Sequence, residues 1–176
     1  MIQNKEYDLL HTENLRATGF LTMQQNKIID FIQPDAQDWE KLERISEIDM
    51  QGFGEDGIST FNLSQFARGG SVFCLTLNGL IIAEAVVLRN FRDNGAEIFG
   101  FAVAKEYFNQ GYGTRLLQHL KEVAKEAGIE YFELTMNPDR PVLHRLYIQK
   151  AGFYKKAELT PHPHKHEPRW LLRYDL

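Results

Sequence analysis

Between Phe101 and Leu117 the chain reads FAVAKEYFNQGYGTRLL, and its hydrophobic period changes there from strand-like to helical across two glycines, Gly111 and Gly113. Beyond Gly113 the apolar residues Leu116, Leu117, Leu120, Val123, Ala124 and Ala127 fall on one helical face, with Gly128 placed as a natural C-terminal cap. The first turn of a helix carries unpaired amides and the positive end of the helix dipole. Glycines just before that turn let the backbone approach an anion closely. A strand, a glycine loop and a helix in this order form a phosphate cradle. No lysine follows Gly113, which removes the P-loop, and Leu116 occupies the third glycine position of a dinucleotide fingerprint, which removes that motif too. By themselves the two glycines are equally compatible with a connection that binds nothing.

The surrounding chain alternates strands and helices. Lys27 to Ile32 reads as a strand stopped by Pro34, and Asp35 as the cap of a helix carrying Trp39, Leu42, Ile45 and Ile48 to a stop at Gly52 and Gly54. Thr60 to Arg68 reads as a second helix. Ser71 to Leu77 and Leu80 to Arg89 flank Asn78-Gly79, a strong hairpin signal, and Glu97 to Val103 extends the meander. After the Gly113 helix come a strand from Tyr131 to Met136, a helix from Pro141 to Ala151, and strands at Tyr154 to Leu159 and Trp170 to Tyr174. Residues 1–26 show no sustained period and read as an N-terminal extension, which leaves 27–176 as the main domain.

Composition narrows the class of partner. The 176 residues are 43% hydrophobic, an ordinary globular value. Twenty Lys and Arg against 24 Asp and Glu give a net charge of −4, which argues against general nucleic-acid binding. The single Cys74 excludes a disulfide framework and reads as a small core hydrophobe. The polar N-terminus lacks a signal-peptide core, and Thr76, Asn78, Gly79 and Glu84 interrupt the most apolar stretch, so the expectation is a cytoplasmic protein with no membrane span. His162, His164 and His166 alternate, but Pro161, Pro163 and Pro168 favour a solvated loop over a metal site, and no metal is expected.

Phe108-Asn109-Gln110-Gly111-Tyr112-Gly113 is similar to the [R/Q]-x-x-G-x-[G/A] signature of the Gcn5-related N-acetyltransferase (GNAT) superfamily, departing from it at Phe108. Ala96-Glu97-Ile98 stands upstream of Gly111-Tyr-Gly-Thr-Arg-Leu116, with Glu97 and Gly111 14 positions apart, and resembles the histone-acetyltransferase branch; Asn137 and Lys150-Ala151-Gly152-Phe153 also fit. The resemblance covers about residues 27–176. It implies an α/β fold with a mixed, mostly antiparallel central sheet, splayed parallel strands 4 and 5, and helices on both faces.

The resemblance also implies roles. Acetyl-CoA would be the co-substrate. Phe101, Ala102 and Val103 would pair with its pantetheine arm, Asn109, Gln110, Gly111, Tyr112, Gly113 and Thr114 would hold its pyrophosphate, and Asn137 would touch the pantetheine region. Glu97 matches the family's general base, and burial beside an apolar cleft would raise its pKa. Tyr147 is the candidate acid for the thiolate. It stands five residues before Gly152, where many members have four, and one residue turns a helical side chain by about 100°. The implied activity is acetyl transfer to a primary amine, on a small molecule or a protein, by direct attack in a ternary complex. The alternatives are another acyl-CoA or a non-catalytic acyl-CoA-binding module. GNAT domains occur as monomers and as homodimers.

Overall fold

Asn78 and Gly79 both adopt left-handed backbone angles, φ 51° and 82°, the geometry that folds a two-residue hairpin in register with strand twist. They join β2 (Val72–Leu77) to β3 (Leu80–Arg89), and β4 (Gly95–Val103) continues the antiparallel meander. This is a computed structural model; it describes residues 27–161 and 166–176. The 1–26 extension and the His162 and His164 positions lie outside the described residues, while His166 is exposed. β1 (Ile29–Ile32) pairs with the outer edge of β2. On the other side β4 runs parallel to β5 (Tyr131–Met136), followed by β7 (Arg169–Asp175) and β6 (Tyr154–Leu159), so the seven-stranded sheet has the order 1-2-3-4-5-7-6.

Helices cover both faces. On one, α1 (Trp39–Phe53) and α2 (Thr60–Arg68) bring Leu42, Ile45, Ile48 and Leu63 against Val72, Cys74, Val86 and Ala102. On the other, α3 (Tyr112–Glu126) buries Leu116, Leu117, Leu120 and Ala124 against Leu75, Ala85, Ile98 and Phe132. The cap of α1 is Asp38, whose carboxylate accepts from the Lys41 amide, and not Asp35. Asp35 accepts from the Gln37 amide two residues on, a local turn that takes its side chain before the helix begins. Cys74 is fully buried, as its apolar strand required, and burial first, then the nearby Glu84, pushes its thiol pKa up.

Two irregularities shape the middle of the sheet. β4 and β5 are paired only at Gly95–Tyr131, Ala96–Phe132 and Glu97–Glu133, after which they part. Just past that point Phe99 is the extra residue of a bulge, because Val86 opposes Gly100 while Val87 opposes Ile98. A bulge bends its strand and increases its twist, which helps β4 leave β5.

The last helix departs from the expected regular one. Pro141–Leu143 starts α4 as an ordinary α-turn, but His144–Lys150 is wound as a π-helix, closed by the Ala151 amide on the Leu146 carbonyl. Such wide turns accommodate one residue more than the α-helix does.

Candidate functional site

The loop from Ala104 to Gly111 carries the chain from the free end of β4 to the start of α3. Asn109 is left-handed at φ 60°, and Gly111 is left-handed at φ 86° as the residue preceding the first turn. Gly111 offers no side chain to cap the helix, and the first turn holds no acidic residue. The first-turn amides therefore have neither an intrahelical acceptor nor a capping side chain. A Cβ on Gly111 would touch nothing, so its glycine is required by conformation. Gly113 is required by space, since a Cβ there would lie 3.4 Å from Val103, 3.5 Å from Phe101 and 3.7 Å from Leu146. The start of α3 thus abuts both β4 and α4.

The other predicted residues fall around this junction with unequal roles. The Gln110 side chain donates to the Glu106 carbonyl and braces the loop, and Thr114 is half-buried in the first turn. Tyr112 is buried with its ring 6.0 Å from that of Tyr107. Phe101 and Val103 lie on the α3 side of β4, half-buried, whereas Ala102 points to the opposite core beneath α1. Asn137 accepts a hydrogen bond from the Asp139 amide, so its oxygen is engaged in the Asn-Pro turn.

Tyr147 lies within the π-turn, 6% exposed, with its ring edge-on to Phe101 at 6.0 Å and to Phe153 at 5.9 Å. Burial, and secondarily Glu84, raises the pKa of its phenol, so the hydroxyl holds its proton at neutral pH.

Glu97 does not occupy the half-buried position expected of it. It is the last β4 residue paired with β5, on the sheet face away from α3, and its side chain is exposed. Its parallel neighbour Glu133 is bound by Lys156 and by Arg173 (3.4 Å), while Glu97 has no ion-pair partner among the described residues. The sheet face it shares with Phe99 carries the one uncompensated carboxylate of that pair.

Sequence reasoning missed the buried acids. Glu84 on β3 is fully buried, and its cross-strand neighbours Cys74 and Ala102 place it under α1. Asp49 of α1, 1% exposed, adjoins it. Burial raises the pKa of both groups, and the neighbouring carboxyl of Asp49 raises that of Glu84 further. The available signal was a single acid inside the apolar run Leu80–Leu88.

Among the described residues no cluster of His, Cys, Asp and Glu is placed to hold a metal ion, and no helix is long and apolar enough to cross a membrane. No curated protein sequence matches the chain. Among solved structures, Ard1 from Thermoplasma volcanium superposes with a TM-score of 0.72 at 16% identity, covering 84% of this chain and 97% of that one. The diaminobutyrate acetyltransferase of Paenibacillus lautus, solved with L-2,4-diaminobutyric acid and coenzyme A, gives 0.67 at 17% identity over 83% and 95%. The PaiA N-acetyltransferase of Thermoplasma acidophilum, solved with coenzyme A, gives 0.66 at 15% identity over 85% and 99%. These likenesses establish the shared fold. The sequence profile of the acetyltransferase (GNAT) family matches residues 35–153, over half of the chain, and with the parted parallel strands and the glycine turn at α3 it places this protein in that family.

Proposed function

We propose that this protein transfers the acetyl group of acetyl-CoA to a primary amine. The observation that carries the reading is the uncapped, acid-free first turn of α3, seated against β4 beyond the point where β4 leaves β5. A pyrophosphate fits such a turn because its charge meets free amides and the positive end of the helix dipole. The residues for this are the backbone of Asn109, Gln110, Gly111, Tyr112, Gly113 and Thr114. Beside it, Phe101, Ala102 and Val103 offer a strand edge that β5 has vacated, suited to an extended amide-bearing arm. Asn137 lies at the end of the facing strand.

The reaction is direct. The neutral amine nitrogen attacks the thioester carbonyl, the C–N bond forms, the C–S bond breaks, the nitrogen gives up one proton to solvent, and the sulfur leaves as a thiolate that takes up one proton from a donor which solvent then reprotonates. Glu97, exposed and uncompensated, receives the proton of the acceptor ammonium directly or through water. Tyr147 keeps its phenolic proton and faces Phe101, on the strand along which the thioester would lie, so it is the donor to sulfur. The shared fold of the two coenzyme A-bound structures supports an acyl-CoA donor.

Release of CoA thiol from acetyl-CoA, measured over a panel of small amines, amino acids and peptides, tests the reading. At least one acceptor should raise release above background, and Glu97→Gln should lower turnover most at pH values where the acceptor is mainly ammonium. Binding of CoA without transfer to any acceptor would favour a non-catalytic module, and faster release from another acyl-CoA would replace acetyl as the donor group. No CoA binding by calorimetry would remove the reading altogether.

A further inference from the structure

Three carboxyl oxygens are buried without a hydrogen-bond donor: Asp49 Oδ1 and both oxygens of Glu84. An ionised carboxylate in such a place is strongly disfavoured unless a cation or a set of donors compensates it. None does. The ionisable groups facing Glu84 are Asp49 from α1, Cys74 from β2 and Tyr147 from across the sheet, and none of the three carries positive charge. Two adjacent carboxyls in an apolar core resolve this by holding one proton between them.

The other oxygen of the pair is already committed. Asp49 Oδ2 accepts from the Ile58 amide, and Ser46, one turn earlier on α1, donates its hydroxyl to the Ile58 carbonyl at 2.8 Å. Both backbone groups of Ile58 are thus held by α1. Its side chain lies 3.0 Å from where a Cβ on Gly100 would stand, with Asp49 Oδ1 at 3.6 Å from the same point. Gly100 follows Phe99 in the bulge, so the connection between α1 and α2 is pinned onto β4 where that strand leaves β5.

We propose that Glu84 is a neutral carboxylic acid that donates its proton to Asp49 Oδ1, and that the pair acts as positioning residues, fixing Ile58 and the α1–α2 connection over the β4 bulge. The proton leaves Asp49 ionised, with a donor on each oxygen: Glu84 on one and the Ile58 amide on the other. Neither acid touches a reacting atom. The connection they hold packs on Gly100, next to Phe99, whose ring meets Phe66 of α2, so the pair sets the position of this face of β4; that the face lies on the acceptor side rests on the acetyl-transfer reading above. The proton sharing itself does not depend on that reading.

Two measurements read the pair without activity. Infrared spectra at neutral pH should show the C=O stretch of a protonated carboxylic acid in the wild-type protein, absent in Glu84→Gln. Amide hydrogen exchange at Ile58 should quicken by about tenfold in Glu84→Ala, the order expected when a buried hydrogen bond loses its support, and stay near wild type in Glu84→Gln, whose amide still donates to Asp49. With an accepted amine, Glu84→Ala should raise the acceptor KM several-fold and leave the acetyl-CoA KM unchanged, with Glu84→Gln restoring it. Absence of the carboxylic acid band in the wild-type protein overturns the shared proton. Unchanged Ile58 exchange in Glu84→Ala, or equal impairment of the Gln and Ala variants, overturns the positioning role. If no amine is acetylated, the band and the exchange rate still decide this proposal, while the transfer reading alone is lost.

Discussion

At Glu84 the native fold binds a proton that the unfolded chain releases above pH 4.5, the ordinary glutamate value. Stability therefore falls as pH rises from that value toward the higher pKa of the folded state, because over this window the native protein holds more protons than the unfolded one. Asp49, also raised by burial, acts in the same direction. Glu84→Gln removes the slope that Glu84 contributes. Its melting temperature relative to wild type should climb as pH goes from about 4.5 toward 8; thermal unfolding across that range checks it, and a difference constant with pH counts against a neutral Glu84. Gly111→Ala should cost about 1 kcal/mol by denaturant unfolding, since the position demands a left-handed backbone although the space is open. Such residues mark where the sequence stops being readable. The glycine was visible, because a backbone need is written in residue type. The acid pair was not, because Asp49 and Glu84 lie 35 positions apart and only the packing of α1 on the sheet makes them neighbours. Glu97 shows the converse: its motif was legible, but its exposure depends on how the helices pack on that face of the sheet, where α2 reaches Phe99 through Phe66.

Among the elements, α3 is the most testable. Its first turn lacks an acid, and Thr114 occupies the third helical position. Thr114→Glu would place a carboxylate where a capping-box residue reaches back to the helix start. The substitution should stabilise the free protein by about 0.3–1 kcal/mol through the helix dipole while weakening CoA binding at least tenfold, because the new charge competes for the same amides. Thermal unfolding and calorimetry measure the two opposite effects, and a parallel change in both would place the pyrophosphate elsewhere. In α4, removal of the exposed Gln149 should convert the π-turn to an α-turn and retain the Tyr147–Phe101 contact, giving a folded protein with a cooperative thermal transition; loss of cooperativity would show that the π-turn is needed for packing. Element positions were largely legible. The Asn78-Gly79 hairpin, the Thr60–Arg68 helix and the Tyr131–Met136 strand stand where periodicity and turn residues place them. The bulge at Phe99 and the π-turn were not, since each inserts one residue without altering the local hydrophobic pattern that sequence reading follows.

For the molecule as a whole, CoA bound as proposed in the gap between β4 and β5 would add contacts between strands that no longer pair there. CoA at about 100 times its Kd should stabilise the fold by about 2.7 kcal/mol. In a domain of this size that is a rise in Tm of about 5–10 °C, readable by differential scanning fluorimetry; no shift at saturating CoA would contradict binding at this gap. The β2–β3–β4 meander was legible from its turn residues, and the splayed parallel β4 and β5 followed from the family resemblance, but the insertion of β7 between β5 and β6 did not show in the sequence, because each strand reads as a full strand by itself. The short β4–β5 pairing has a mechanical meaning. Strands β1 to β4 form one plate and β5, β7 and β6 another, and three residue pairs at one end are their whole sheet seam. With the seam at one end, the far end can part like the open end of a clothes-peg without breaking a single strand-to-strand hydrogen bond, and the core that α3 shares with β4 and β5 is what resists it.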